Sequence, residues 1–196
     1  MRRVFLLLTT MSVALVVASG VALGATIDCS GGFCLGTEED DTMAGTATQE
    51  EMNGLGGNDL MYGFGSIDFL YGQYGDDTLY GGEGDDGLYG YFGNDTLYGG
   101  PGDDEMRGDD DLDYTDQPDG HDRLYGGGGN DRLYGYYGDD TLVGGDGEDS
   151  INAHDDPNFT GGEDIVNCGQ GRDTVYYDKG FDKLHGCEIK VSITQS

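Results

Sequence analysis

The large aliphatic residues of this chain recur at every ninth position. Met43, Met52, Met61, Leu70, Leu79, Leu88, Leu97 and Met106 hold the phase, and Leu124, Leu133, Leu142 and Ile151 resume it. After a six-residue break, Val166, Val175 and Leu184 continue. Each is flanked by one residue on either side and then by six residues rich in Gly and Asp. The pattern predicts three residues of strand, with the middle side chain pointing inward and its neighbours outward, followed by six residues of turn. One strand of this kind cannot bury its single aliphatic residue. Stacked coils can, because each Leu then packs on those above and below it.

The stretch 72–107 shows the unit most clearly, reading GQYGDDTLY, GGEGDDGLY, GYFGNDTLY and GGPGDDEMR without a gap. Gly stands first and fourth, Asp sixth, and Leu or Met eighth. The register runs from Gly36 to Asn152 as thirteen units, breaks over residues 153–158, where Pro157 supports a loop, and resumes for three units over 159–185. Units 36–44 and 45–53 are degraded, with Glu39 and Thr48 in place of the second key Gly. Unit 63–71 has Ser66 there, and unit 108–116 has Asp111 for Gly and Thr115 for the aliphatic residue. Position six is Asp in fifteen of the sixteen units and Glu50 in the other. A solvated acidic face would not be phased in this way.

Composition then sharpens the picture. The 196 residues include 39 Gly, 39 acids and only 9 Lys plus Arg, a formal charge of −30. So much charge and Gly would read as disorder were it not for the period. The charge also disfavours nucleic acid, whose phosphates are bound mainly by Lys and Arg. The first residues look like an export signal: Arg2 and Arg3, a mostly apolar run Val4–Val17, then small residues with cleavage expected after Gly24 or Ala25. The apolar run falls short of the ~20 residues that span a bilayer, so no membrane insertion is expected once residues 1–25 are removed. Removal takes two arginines and no acid, leaving 7 − 39 = −32. Cys29, Cys34, Cys168 and Cys187 in an exported chain favour disulfides over a metal cluster. The tight turn between Cys29 and Cys34 suits a small disulfide loop, and residues 26–35 read as an N-terminal cap.

Strands stack ~4.8 Å apart, and a column of carboxylates at that spacing repels by about 1 kcal/mol per pair in water and by several times that at a surface site. The column therefore opposes folding unless a cation sits within it. Carboxylate and carbonyl oxygens with no His or Cys at the same phase select Ca²⁺ over zinc or copper. Mg²⁺ fits less well because it demands a tight octahedral shell.

Residues 36–185 resemble the RTX family, the hemolysin-type calcium-binding nonapeptide repeats, and units 72–107 match its motif nearly position for position. The resemblance implies an all-β fold, a parallel β-roll (a right-handed β-solenoid) with 18 residues per coil and several Ca²⁺ ions held in the turns. It implies ligands at Asp59, Asp68, Asp77, Asp86, Asp95, Asp104, Asp122, Asp131, Asp140, Asp149, Asp164, Asp173 and Asp182, together with turn carbonyls. Asp41, Glu50 and Asp113 lie in degraded units and are expected to bind weakly or not at all. On that roll Cys187 lies one coil plus one residue beyond Cys168, within disulfide reach, and the pair is expected to lock the last coil above a C-terminal cap at 186–196. The best units, 72–107, are expected to bind calcium tightest, with the roll weakening near 36–53 and 108–116.

Tyr occupies position nine in eight units, and with alternate units on one sheet Tyr62, Tyr80, Tyr98 and Tyr134 are expected in one outward column. Cross-strand stacking explains such a column; a docking platform for an extracellular glycan or protein is the alternative. No catalytic site is expected: the three histidines fall at different phases, no Cys is spare and no G-x-S-x-G is present. The sequence thus reads as a secreted, non-enzymatic calcium-binding protein.

Overall fold

The computed structural model describes residues 24–30, 32–109, 120–154 and 162–193. The export signal over 1–25 and most of the acidic run after Asp109 lie outside the described residues, as does Asp113. What is described is all β, with no helix. In chain order the strands are β1 (Thr26–Asp28), β2 (Phe33–Leu35), β3 (Thr42–Ala44), β4 (Glu51–Gly56), β5 (Leu60–Gly65) and β6 (Phe69–Tyr74). Then come β7 (Thr78–Glu83), β8 (Gly87–Phe92), β9 (Thr96–Pro101), β10 (Glu105–Arg107), β11 (Arg123–Gly128) and β12 (Arg132–Tyr134). The last are β13 (Thr141–Asp146), β14 (Ser150–Ala153), β15 (Ile165–Gln170), β16 (Thr174–Asp178), β17 (Lys183–His185) and β18 (Ile189–Ile193).

Odd-numbered strands form one nine-stranded sheet and even-numbered strands the other, every pair parallel and in sequence order. This is a parallel β-roll with 18 residues per coil, as in Leu79 facing Leu97 and Leu70 facing Leu88. Position eight forms the core in two single files: Met43, Met61, Leu79, Leu97, Leu124, Leu142 and Val166 on one sheet, and Met52, Leu70, Leu88, Met106, Leu133, Ile151 and Val175 on the other, all fully buried. Both terminal segments join the roll, since β1 pairs with β3 and β18 with β16. Disulfides Cys29–Cys34 and Cys168–Cys187 hold the end coils, with the second pair's Cα atoms 5.1 Å apart. Lys190 takes the inward register of Val175 on the last strand, and a charge there discourages further strand addition.

Two expectations need correction. Strands in the body of the roll run six residues instead of three, continuing through positions one to three of the next unit. Position one is buried like position eight, so its Gly is an inward-facing strand residue with a negative φ, and the left-handed turn residues are those at positions two and four, such as Gly82 and Gly84. Second, the nine-residue register does not run unbroken to Asn152. β9 pairs with β11, so Leu97 faces Leu124, a step of 27 residues. A unit without its Gly and its aliphatic residue contributes no inward side chain, and one nonapeptide leaves the coil. The parity of later units flips, and the outward column is Tyr62, Tyr80, Tyr98 and Tyr125, not Tyr134. Tyr134 instead stands on the other sheet, where the Arg107 guanidinium lies 5.6 Å from its ring centroid and 5.6 Å from that of Tyr89. The six-residue break enters later as a step of 24, with Ala153 still paired to Tyr177.

Candidate metal centre

Each turn closes over its own aspartate. The side chain of Asp77 folds back beneath Gly72, and a Cβ on that Gly would come closer than 3.0 Å to Asp77 Oδ2. The same collision would occur at Gly54 with Asp59, Gly90 with Asp95, Gly99 with Asp104 and Gly144 with Asp149. Position one must therefore be Gly for the space it leaves.

The carboxylates form a ladder along each edge. Asp59 N–H donates to Asp77 Oδ1 at 2.7 Å, and Asp77 N–H to Asp95 Oδ1 at 2.7 Å. On the opposite edge Asp68 donates to Asp86 and Asp86 to Asp104, each at 2.8 Å. Across the excised unit Asp95 reaches Asp122 and Asp104 reaches Asp131, and the ladder continues through Asp140, Asp149, Asp164 and Asp173. Asp182 ends one edge differently: it is half-buried, and its two oxygens accept from the amides of Asp164 and Asp178. Twelve of the thirteen candidate residues, all but Asp182, thus share one buried environment, each no more than 3 % exposed.

In that environment one oxygen per carboxylate is used and the other is not. Oδ2 of Asp59, Asp68, Asp77, Asp86, Asp95, Asp104, Asp122, Asp131, Asp149 and Asp173 is buried without a hydrogen-bond partner. Burying an ionised carboxylate this way is costly, and the group responds by holding its proton. Burial, reinforced by Asp95 and Asp59 on either side, pushes Asp77 up to about 8. Burial likewise raises Asp95 and Asp104 to about 7 and Asp59, Asp68 and Asp131 to about 6, although each accepts an amide hydrogen bond that works the other way.

Main-chain oxygens converge on the same turns. Amides at position four donate to the position-three carbonyl one coil on, as from Gly75 to Phe92 at 2.9 Å. The carbonyls of positions two and four point toward the matching residues of the next coil: a Cβ on Gly82 would strike Phe64 O, and one on Gly93 would strike Gly75 O. Among the described residues no three His, Cys, Asp or Glu side chains cluster as a cage. The donors available at a turn are one carboxylate oxygen and backbone carbonyls, an all-oxygen set that suits a hard divalent cation.

The two degraded units solve the same problem without a vacant oxygen. Thr37 donates to Asp41 Oδ2 from its amide at 2.6 Å and from its hydroxyl at 3.0 Å. Glu50 accepts from the hydroxyls of Thr46 and Thr48, both at 2.7 Å, and from the Thr46 amide at 2.9 Å. Burial acts to raise the Glu50 pKa, but these hydrogen bonds outweigh it and the net shift is downward. Sequence reasoning counted these units as mere decay; Thr at positions two and four was the available signal. It also missed a second, exposed ladder at position five, in which Asn58 donates to Asp40, Asp76 to Asn58 and Asn94 to Asp76 through their amides.

The roll with oxygen-lined turns defines a repeat protein built to take divalent cations between coils. A family model for the RTX calcium-binding nonapeptide repeat (4 copies) matches residues 35–63, 62–97, 88–114, 119–151 and 160–184, and the chain belongs to that family. The gaps between matches fall at the 27-residue and 24-residue steps. No curated protein matches the chain.

Proposed function

We propose that this chain is a secreted calcium-binding protein whose roll folds as it binds several Ca²⁺ ions, with Asp59, Asp68, Asp77, Asp86, Asp95, Asp104, Asp122, Asp131, Asp140, Asp149, Asp164 and Asp173 as carboxylate ligands. The observation that carries the reading is the column of buried, partnerless Oδ2 atoms. Each turn encloses its carboxylate with Gly, orients Oδ1 on an amide of the preceding coil and leaves Oδ2 for a ligand. Bound calcium supplies the positive charge these turns lack. Without it the same residues repel one another inside a low-dielectric edge, so folding and metal binding form one equilibrium. Asp182, with both oxygens hydrogen-bonded, is the weakest candidate of the predicted set.

Export is supported by the N-terminal sequence and by two disulfides, which persist in oxidising compartments. We assign residues 1–25 to the signal, 26–35 and 186–196 to the end caps, and no catalytic role to the chain. The test is far-UV circular dichroism of the mature protein. Calcium should convert a weakly structured spectrum to a β-rich one, and a chelator should reverse it. A β-rich spectrum that persists in excess chelator would overturn the reading.

Docking of a glycan or partner protein on the Tyr faces is a second reading, favoured by the uncharged run Tyr62, Tyr80, Tyr98 and Tyr125. These rings stack with centroids 5.0, 4.7 and 5.0 Å apart and planes within 9° of parallel. Their faces are covered by one another, so a partner would meet ring edges and hydroxyls. A glycan-binding screen on the Tyr80→Ser and Tyr98→Ser variant tests this: equal binding by the variant rejects it.

A further inference from the structure

Where the nonapeptide leaves the coil, one turn is assembled from two separated pieces. Gly108 and Asp109 supply its beginning, and Gly120, His121 and Asp122 its end. Gly108 is fixed from both sides: Tyr91 N–H donates to its carbonyl at 2.8 Å, and its own amide donates to Tyr134 O at 2.9 Å. Asp109 N–H faces Gly135 O at 3.5 Å. Asp122 closes the turn as elsewhere. A Cβ on Gly108 would strike Asp122 Oδ2, Oδ1 accepts from Asp95 N–H at 2.8 Å, and Oδ2 is buried without a partner.

Position two is what differs. In the coils on either side it is held by Tyr91 and Tyr136, left-handed residues whose side chains lie half-exposed on the sheet face. In the composite turn it is Asp109, which is only 8 % exposed. A small carboxylate turned inward here brings a second negative group into a turn that already holds Asp122. Among the causes that raise the Asp122 carboxyl, burial leads, followed by Asp140, Asp109 and Asp95.

We propose that Asp109 and Asp122 together form a two-carboxylate calcium site at the composite turn, and that this site, not those of residues 72–107, is the tightest on the roll. The inference rests on the reading of the position-six aspartates as calcium ligands. Its physical basis is ligand charge: calcium affinity rises with the number of carboxylates in the site, and every ordinary turn of the roll contributes one. His121 adds no competing ligand, because its Nδ1 accepts the Asp139 amide at 2.8 Å. Removing one unit from the coil thus converts a failed repeat into a stronger site.

Calorimetric titration of the mature chain with CaCl₂, alongside Asp109→Asn, Asp122→Asn and Asp131→Asn, tests it. Asp109→Asn should weaken the tightest step by about tenfold or more, while raising the thermal midpoint in chelator because it removes a charge crowding Asp122. Asp131→Asn should weaken a later step and leave the tightest one in place. If Asp109→Asn titrates as the wild type while Asp131→Asn does not, the composite site is wrong and the general reading stands. If all three variants titrate as the wild type, the general reading falls as well. A loss of affinity in Asp109→Asn with a lowered midpoint in chelator would mark Asp109 as a fold residue and also reject the site.

Discussion

The first two turns of the roll and the turns that follow share a backbone path and differ in how they satisfy a buried carboxylate. In the turns at 36–41 and 45–50, Thr hydroxyls and amides surround Asp41 and Glu50. From Gly54 onward Gly replaces Thr, the hydroxyls are gone and Oδ2 is left bare. A hydrogen bond to a charged group contributes about 1.5–3 kcal/mol, whereas an unsatisfied buried one costs at least as much. One end of the molecule is therefore complete with its own atoms, and the body is complete only with a cation. The Cys29–Cys34 bridge strengthens the same end. A calcium-independent first coil also gives later coils a template, which displaces the expectation that folding starts within 72–107.

The largest consequence concerns calcium removal. In chelator, amides of β5 to β16 should lose protection against hydrogen exchange by several orders of magnitude, while those of β3 and β4 retain measurable protection through the intact Thr turns. Uniform loss across all strands would dissolve the distinction between the two regions. A smaller effect follows from single charges. Asp95→Asn should weaken calcium binding by about tenfold or more, since it removes one ligand from a shared column. Glu50→Gln should leave calcium binding unchanged. Equal titrations for the two variants would place Glu50 among the metal ligands.

Proton linkage should separate the regions by sign. Asp77, Asp95 and Asp104 have raised folded-state pKa values, up to about 8, about 7 and about 7, so the ion-free roll keeps protons that the unfolded chain has released. Their contribution to ion-free stability is complete below the ordinary carboxylate pKa of about 3.9 and is lost as pH rises through about 7 to 8. Acidifying the chelated protein from pH 8 to pH 5 should therefore restore β signal, with protons standing in for calcium. With calcium present the sign reverses, because protons compete for the same oxygens and affinity falls as pH drops. Glu50 runs the other way from its neighbours: its lowered pKa means its contribution is present above its ordinary value and is lost as pH falls below it. Circular dichroism across pH 4 to 8, with and without chelator, checks the body. A chelated spectrum that does not respond to acid would contradict it.

Much of this was legible in the sequence because the physics repeats with the period. One Leu per nine residues forces stacking, and one Asp per nine forces a charged column, so the roll, the two edges and the Cys168–Cys187 bridge followed. What was not legible depends on which coil a residue joins. The degraded unit 108–116 kept its phase in the sequence, but with Thr115 in place of an aliphatic residue it had nothing to bury. Its exit moved Tyr125 next to Tyr98, and no periodicity count registers that exchange. Gly at position one looked like a turn residue because turns are where Gly is usual, yet it serves the space beneath an aspartate. Thr37, Thr46 and Thr48 looked like decay because the motif names only Gly and Asp.

The smallest expected effect tests that last point most directly. Thr46→Val keeps the shape of the side chain and removes one hydroxyl from Glu50, which still accepts from the Thr46 amide and from Thr48. The loss should be on the order of 1–2 kcal/mol in the first coils, with no change in calcium titration. Adding Thr48→Val should cost more than the single changes suggest, because the buried Glu50 side chain then loses both hydroxyls and depends on the Thr46 amide alone. Local exchange of the β4 amides in saturating calcium isolates the effect, since the body of the roll is then held by its ions. If the double variant exchanges at the wild-type rate, the Thr hydroxyls are incidental. The N-terminal turns would then stand by packing and the disulfide alone, and their independence of metal would need another cause.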